Sequence, residues 1–295
     1  MKKKKWLSEM LQQLVFIGPG FLFFLIIVIL PFLLGFYYSF TNWDGLDLER
    51  AEWTGMDNWV RIFTNDDKFW QSVGFTLRFT VLTVILSNVL GLALAMLLVQ
   101  KLRTRNLLRT VFFVPNVIGG ILLGYIWQFI FTKGFGTIGD LTGISLFNLP
   151  WLGTPQTGFW GLVIVFVWQT AGYMMIIYIA ALAGLPKDLI EAAQIDGAKF
   201  GQIFRKIYLP LIMPAITICL FLTTSNAFKM FDLNLSLTKG GPGTSTQSLA
   251  YNIYAEALIN NRYGLGTAKA LLFFVAVSLI TVTQVWLTKR KEVEV

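Results

Sequence analysis

The sequence predicts an all-α polytopic membrane protein with six transmembrane helices and both termini in the cytoplasm, on three observations. The chain of 295 residues is 55% hydrophobic and only 14% charged, with a mean hydropathy of +0.64, well to the apolar side of soluble domains. Six stretches are long enough to cross a bilayer core as helices, which takes roughly 20 mostly apolar residues. A membrane barrel would instead show segments of about ten residues alternating apolar and polar, whereas "FLFFLIIVILPFLLGF" is apolar on every side.

The expected spans are about 14–40, 76–99, 108–131, 159–184, 207–228 and 268–288, in one transmembrane domain over residues 1–295. The start, "MKKKKWLSEMLQQLVFIGPGF", has the basic flank of a signal peptide. Its apolar run is too long and no small-residue cleavage site follows, so it reads as a retained first helix. In the second span, "SNVLGLALAMLL" sets Gly91, Ala93 and Ala95 among leucines, a small-residue pattern for close helix packing. Arg78 is the one charge inside a span, near its outer end, where snorkelling and a functional role are equally open. Lys229 and Asp232 fall at the outer end of the fifth span.

Orientation follows the basic residues. Lys2 to Lys5, then Lys101, Arg103, Arg105 and Arg109, then Lys187, Lys199, Arg205 and Lys206, and finally Lys289, Arg290 and Lys291 make up 15 of the 24 basic residues, all on the expected cytoplasmic side. The first external loop carries Asp44, Asp47, Glu49, Glu52, Asp57, Asp66 and Asp67 against Arg50, Arg61 and Lys68. The external loops 41–73, 132–158 and 229–266, the last with the turn-forming run "TKGGPGTSTQS", read as surfaces open to a soluble partner. The pI near 9.5 is explained by short basic segments beside spans, so no nucleic-acid partner is expected.

Enzymatic chemistry finds little support. The chain has no His and a single Cys, Cys219, in an apolar span, so the usual general base, a disulfide within the chain and a cysteine metal site are all missing. "GGPGTSTQS" lacks the Gly-Lys-Ser/Thr ending of a phosphate-binding loop. No catalytic residue and no metal site is assigned, and no cofactor is expected on this chain.

One long polar stretch interrupts the spans, in the cytoplasmic loop at about 186–206. "LPKDLIEAAQIDGAKF" has a proline at a helix start, Asp188 near the positive helix end, and Gly197 as a stop. "KFGQIFRKIYLP" sets Phe200, Ile203, Phe204 and Ile207 on one helical face, and Pro210 and Pro214 favour a bend into the fifth span. A helix that merely seals the bundle would show the same pattern, and physics alone leaves sealing and docking open.

The order of residues resembles the EAA motif of the membrane subunits of ABC importers, in its longer sugar-permease form. Glu191, Ala192, Ala193, Asp196, Gly197 and Ala198, then Gln202, Phe204, Ile207, Leu209, Pro210 and Pro214, fall on that pattern. "LLRTVFFVPNVIGGILLGYIWQFIF" and "FDLNLSLTKGGPGTSTQSLAYNIY" are similar to other segments of the family, and the start is similar to the larger membrane subunit type of the maltose transporter, with six spans rather than eight.

The resemblance implies a permease subunit that pairs with a second homologous permease, two ATP-binding ATPase subunits that use ATP and Mg, and an extracellular solute-binding protein, all in the cell membrane. Glu191, Ala192, Ala193, Asp196, Gly197 and Ala198 would then form a coupling helix seated in the ATPase. A sugar, oligosaccharide, polyol or glycerophosphodiester would pass along Trp168, Gln169, Gly172 and Tyr173 of the fourth span and Thr223, Ser225 and Asn226 of the fifth, although these residue types also pack helices together. The alternatives are an ion-coupled secondary carrier and an ABC permease for amino acids or peptides.

Overall fold

The computed structural model describes residues 13, 15–47, 49, 51–100 and 102–292, so Lys2 to Lys5, Arg50 and Lys101 of the charge argument lie outside the described residues. Among the described residues the chain is helical, with no strand beyond one antiparallel bridge between Thr41 and Trp53. Five helices are long and apolar enough to cross a membrane, and a strongly bent pair makes a sixth. The elements are α1 (Val15–Tyr38), α2 (Asp57–Thr64), α3 (Asp67–Leu98), α4 (Arg105–Val117), α5 (Gly120–Thr142), α6 (Pro155–Ala183), α7 (Lys187–Ile195), α8 (Phe200–Leu211), α9 (Met213–Phe228), α10 (Asp232–Leu237), α11 (Leu249–Tyr254) and α12 (Tyr263–Lys289). They fall into two compact units, residues 1–66 with 253–273, and residues 67–252 with 274–295.

In the first unit, α1 is apolar all round and buries none of its apolar window in the chain itself, as expected of a helix solvated by lipid or by another subunit. Beyond its end the backbone turns on buried Ser39 and Thr41, whose carbonyls both accept from the Asn58 Nδ2 amide, at 3.0 and 2.8 Å. Aromatic rings gather there, Tyr38 on Trp43 at 4.1 Å, Trp43 on Tyr263 at 5.0 Å and Phe40 stacked on Trp53 at 5.3 Å, the residue types that favour a membrane–water boundary. Gly264 lies so close to the Thr41 carbonyl that no Cβ would fit. Lys269, fully buried in the second turn of α12, donates to Asp66 at 2.7 Å and to Glu256 at 2.9 Å, and Arg262 reaches Glu256 at 3.2 Å.

The second unit is built on α3 against α6. With 32 residues, α3 is about 48 Å long at 1.5 Å per residue, more than a hydrocarbon core of about 30 Å requires. The small-residue pattern splits by face. Gly91 and Ala95, one turn apart, are buried against α6, where a Cβ on Gly91 would press on Met174 and the Ala171 carbonyl, while Ala93 points outward. Polar side chains complete the seam. The Ser87 and Thr170 hydroxyls bond at 2.7 Å, Asn88 Nδ2 donates to Thr223 Oγ1 at 2.9 Å, and the Tyr178 hydroxyl donates to Asn88 Oδ1 at 2.7 Å. Asn88 thus ties α3 to both α6 and α9. Asn88→Ala, which leaves the Tyr178 hydroxyl without its acceptor, is expected to cost about 1–3 kcal/mol, read as a lower thermal midpoint in detergent with unaltered substrate affinity.

One expected span takes a different form, and another shows the bend expected of its prolines. The stretch 108–131 is not one helix: α4 ends at Val117, Ile118 is extended (φ −76, ψ 127), Gly119 caps the next helix, and α5 runs on to Thr142. Pro115 near the end of α4 and the Gly119–Gly120 pair make the break, which continuous apolarity conceals. The fifth span is the bent pair, with 71° between α8 and α9. The run after it, expected as a loop, is more structured: α10 folds back on α5, where Gly124 leaves room only for Ser236. Fully buried Asn234 then takes the Ser248 amide on Oδ1 at 2.9 Å and donates to the Thr246 carbonyl at 2.8 Å.

Candidate functional site

The element on the EAA-like residues begins where Pro186 holds the N-cap position and Lys187 opens α7, with Asp188 in the first turn facing the positive helix end. It stops on a glycine. Gly197 sits at φ +77, its amide donates to the Gln194 carbonyl at 3.0 Å, and the Ala198 amide reaches back to the Ala193 carbonyl at 2.9 Å. That pair of bonds is the Schellman termination, which needs a left-handed residue just past the helix. A Cβ at Gly197 would meet nothing within 4 Å, so the backbone conformation, rather than crowding, demands glycine there.

The chain restarts at once. The Lys199 amide donates to Gln202 Oε1 at 2.7 Å, the reciprocal half of a capping box, and α8 follows. Of the apolar face, Ile203 is buried, Phe204 and Ile207 are half-buried, and Phe200 is exposed over Phe204 at 6.2 Å. The break to α9 falls at buried Ile212, between Pro210 and Pro214.

Among the described side chains of α7 none is buried. Ile195 is 86% exposed and Leu189 47%, and Glu191, Ala192, Asp196 and Gly197 are exposed beside them, with Ala193 and Ala198 half-buried. A short helix that offers small and apolar side chains to its surroundings and packs against little of its own chain is the form expected of a surface completed by another molecule.

The second feature is a cavity of about 310 Å³ in the second unit, lined by Asn116, Gly120, Gln169, Asn226, Lys229 and Asp232 among others. The α4–α5 break creates it. The freed Ile118 carbonyl accepts from Gln169 Nε2 at 3.1 Å, which satisfies a backbone group that lipid could not. Asp232, at the start of α10, lies over Gly120, where a Cβ would press on its side chain. Carboxamides, one ammonium and one carboxylate around a wet space can bond a polyhydroxylated solute through both donors and acceptors.

Of the seven pathway residues expected from the sequence, Gln169 and Asn226 line this cavity. Trp168 and Gly172 lie in an apolar groove instead, with Trp168 edge-on to Trp127 at 5.4 Å and Gly172 tight against the Phe112 carbonyl. Thr223 is fully buried, bonded to the Cys219 carbonyl and Asn88, so it belongs to packing rather than to the pathway. Tyr173 packs half-buried against the core around Met174, and Ser225 is half-buried beside the cavity without lining it. Asn116 and Gly120 were not anticipated. The signals that could have found them are the paired glycines after Pro115 and the two charges, Lys229 and Asp232, that close the fifth span.

Residues 87–293 match the family described as "Binding-protein-dependent transport system inner membrane component". The chain belongs to that family. The permease is 47% identical, over 99% of both chains, to the probable starch degradation products transport system permease protein AmyD of Thermoanaerobacterium thermosulfurigenes. It is 34% identical to the trehalose/maltose transport system permease protein MalF of Thermococcus litoralis, over 88% of this chain and 87% of that one. The multiple sugar-binding transport system permease protein MsmF of Streptococcus mutans is 33% identical over 89% of this chain and 90% of that one. Among solved structures, a chain of a bacterial ABC transporter that imports alginate superposes with a TM-score of 0.81 at 23% identity, covering 98% of the permease and 96% of that chain, a likeness of fold. The protein is therefore a multi-pass component of the cell membrane and a transport subunit rather than an enzyme.

Proposed function

We propose that the permease forms its share of the pathway of an ABC importer for a sugar or oligosaccharide, with α7 as the element that joins it to an ATPase subunit. The observation that carries the reading is α7 itself, a helix that opens after Pro186 and closes on a glycine stop yet is left exposed, on the residues of the EAA pattern. In this reading Glu191, Ala192, Ala193, Asp196, Gly197 and Ala198 seat in the ATPase surface, and both termini share that cytoplasmic side. A second permease completes the membrane pathway, two ATPase subunits consume ATP and Mg, and a solute-binding protein delivers from outside. ATP-driven closure pulls α7, and the 71° elbow between α8 and α9 passes the movement to the span that carries Asn226. Two discrete states biased by nucleotide are enough for alternating access.

The names of the full-length relatives support a carbohydrate substrate, and the cavity at Gln169 and Asn226 supports the place. With the complete transporter in proteoliposomes, uptake of labelled maltooligosaccharide is expected to require ATP on the ATPase side and to ignore ionophores; uptake that follows an ion gradient without ATP would overturn the reading in favour of a secondary carrier. Gln169→Ala and Asn226→Ala are each expected to weaken uptake about tenfold, as loss of one or two hydrogen bonds to substrate implies, while ATPase co-purification stays intact. Trp168→Leu, on the other face of α6, should leave substrate affinity as it is.

A further inference from the structure

Arg78 takes no part in the pathway described above. Its Nε donates to the Gly74 carbonyl at 3.1 Å, and no carboxylate among the described residues pairs with it. It stands 20 residues before Leu98, the last residue of α3, which is about 30 Å along the helix and so one hydrocarbon thickness away. There it lines a pocket of about 270 Å³ with Gln156, Ser245 and the rings of Phe75, Phe159 and Trp160.

Trp160 also lines the top of a second space, an apolar groove of about 460 Å³ between α3 and α6. The two spaces run on matching helical stripes. On α3, Leu86, Leu90 and Leu94 follow Arg78 at intervals of two turns and then one, and on α6 Trp160, Ile164, Trp168 and Gly172 follow Gln156 at intervals of four. From Trp160 to Gly172 the groove runs about 18 Å, close to the depth of one leaflet, about half of a 30 Å core.

We propose that α3 and α6 hold a phospholipid, its phosphate on Arg78 and an acyl chain in the groove below. The chemistry of the two compartments selects this occupant. Arg binds phosphate with paired, charge-assisted hydrogen bonds, and the Gln156 carboxamide adds a donor. A sugar chain laid in the groove would leave its hydroxyls unbonded, and a neighbouring apolar helix would fill the groove but bring no anion to the exposed guanidinium at its end. In the orientation proposed above, the lipid belongs to the outer leaflet.

The test is native mass spectrometry of the complete transporter in mild detergent, titrated with dioleoyl phosphatidylglycerol, with dioleoylglycerol, which has the same chains and no phosphate, and with inorganic phosphate. Wild type is expected to retain phosphatidylglycerol at least about tenfold better than dioleoylglycerol, one charge-assisted bond or more. Arg78→Gln should bring the two to parity, Leu90→Trp should weaken both, and inorganic phosphate should displace neither. The proposal is overturned if Arg78→Gln retains phosphatidylglycerol as wild type does, if no lipid is retained, or if inorganic phosphate binds as well as the lipid. It is equally overturned if a photoreactive group at Leu90→Cys cross-links to another subunit's helix instead of to lipid.

Discussion

Lys269→Met is expected to destabilise the permease by about 3–5 kcal/mol, the range for removing one partner of a buried ion cluster. Lys269 has no exposed surface and bridges Asp66 and Glu256 at 2.7 and 2.9 Å, so methionine would remove the ammonium that these two largely buried carboxylates share, while Arg262 stays on Glu256. Desolvated charges that lose their counter-charge dominate such losses, far above the ~0–1 kcal/mol of a surface pair. The cluster joins the residue just before α3 to the turn before α12, so the damage should show as loss of the folded protein in detergent, followed by size-exclusion chromatography on heating. A triple variant, Asp66→Asn with Glu256→Gln and Lys269→Met, removes the ammonium and both of its carboxylates together, leaves the half-exposed Arg262 to water, and should recover most of the thermal midpoint. A Lys269→Met protein as stable as wild type would show that the cluster contributes nothing.

The second large effect lies between α7 and α8. Gly197→Pro is expected to cut ATP-dependent uptake at least about tenfold, because proline is locked near φ −65 and cannot reach the +77 found at Gly197. It also lacks the amide that bonds the Gln194 carbonyl. α7 would then lose its stop and the angle at which it meets α8. Gly197→Asn, the side chain that best tolerates the left-handed region after glycine, should retain most of the uptake, and Gly197→Ala should fall between, at a backbone cost of about 1–2 kcal/mol. Equal uptake by all three would mean that the geometry of this stop is irrelevant to transport.

Composition and apolar run length were enough to reveal the helical membrane fold, because a bilayer imposes a length and a polarity that any spanning helix must show. The helix stop at Gly197 was legible for a similar reason: few residues tolerate a positive φ, and the glycine follows a helical run that opens at a proline. What stayed hidden was set by tertiary contact. The break at Ile118 lies in a stretch long and apolar enough to read as one span, and it is stabilised from another helix, by Gln169. Thr223 looked like a polar pathway residue, yet Asn88, far away in the chain, takes its hydroxyl into the core. Trp168 and Gln169 are neighbours in sequence but point to different spaces, since adjacent residues on a helix diverge by about 100°. α10 went unseen because its six residues are too few to show a period and are held in place by burial of Asn234 and Ser236.

The central claim, that α7 is where the permease joins an ATPase, is tested most directly by purifying the tagged permease from its native membrane in mild detergent, as wild type and as Glu191→Lys. Glu191 is exposed on α7, so the substitution should leave the fold and its thermal midpoint intact. The account predicts an ATPase subunit held by wild type and lost from the variant. An ATPase retained equally by both, or absent from both while the fold is intact, would contradict it.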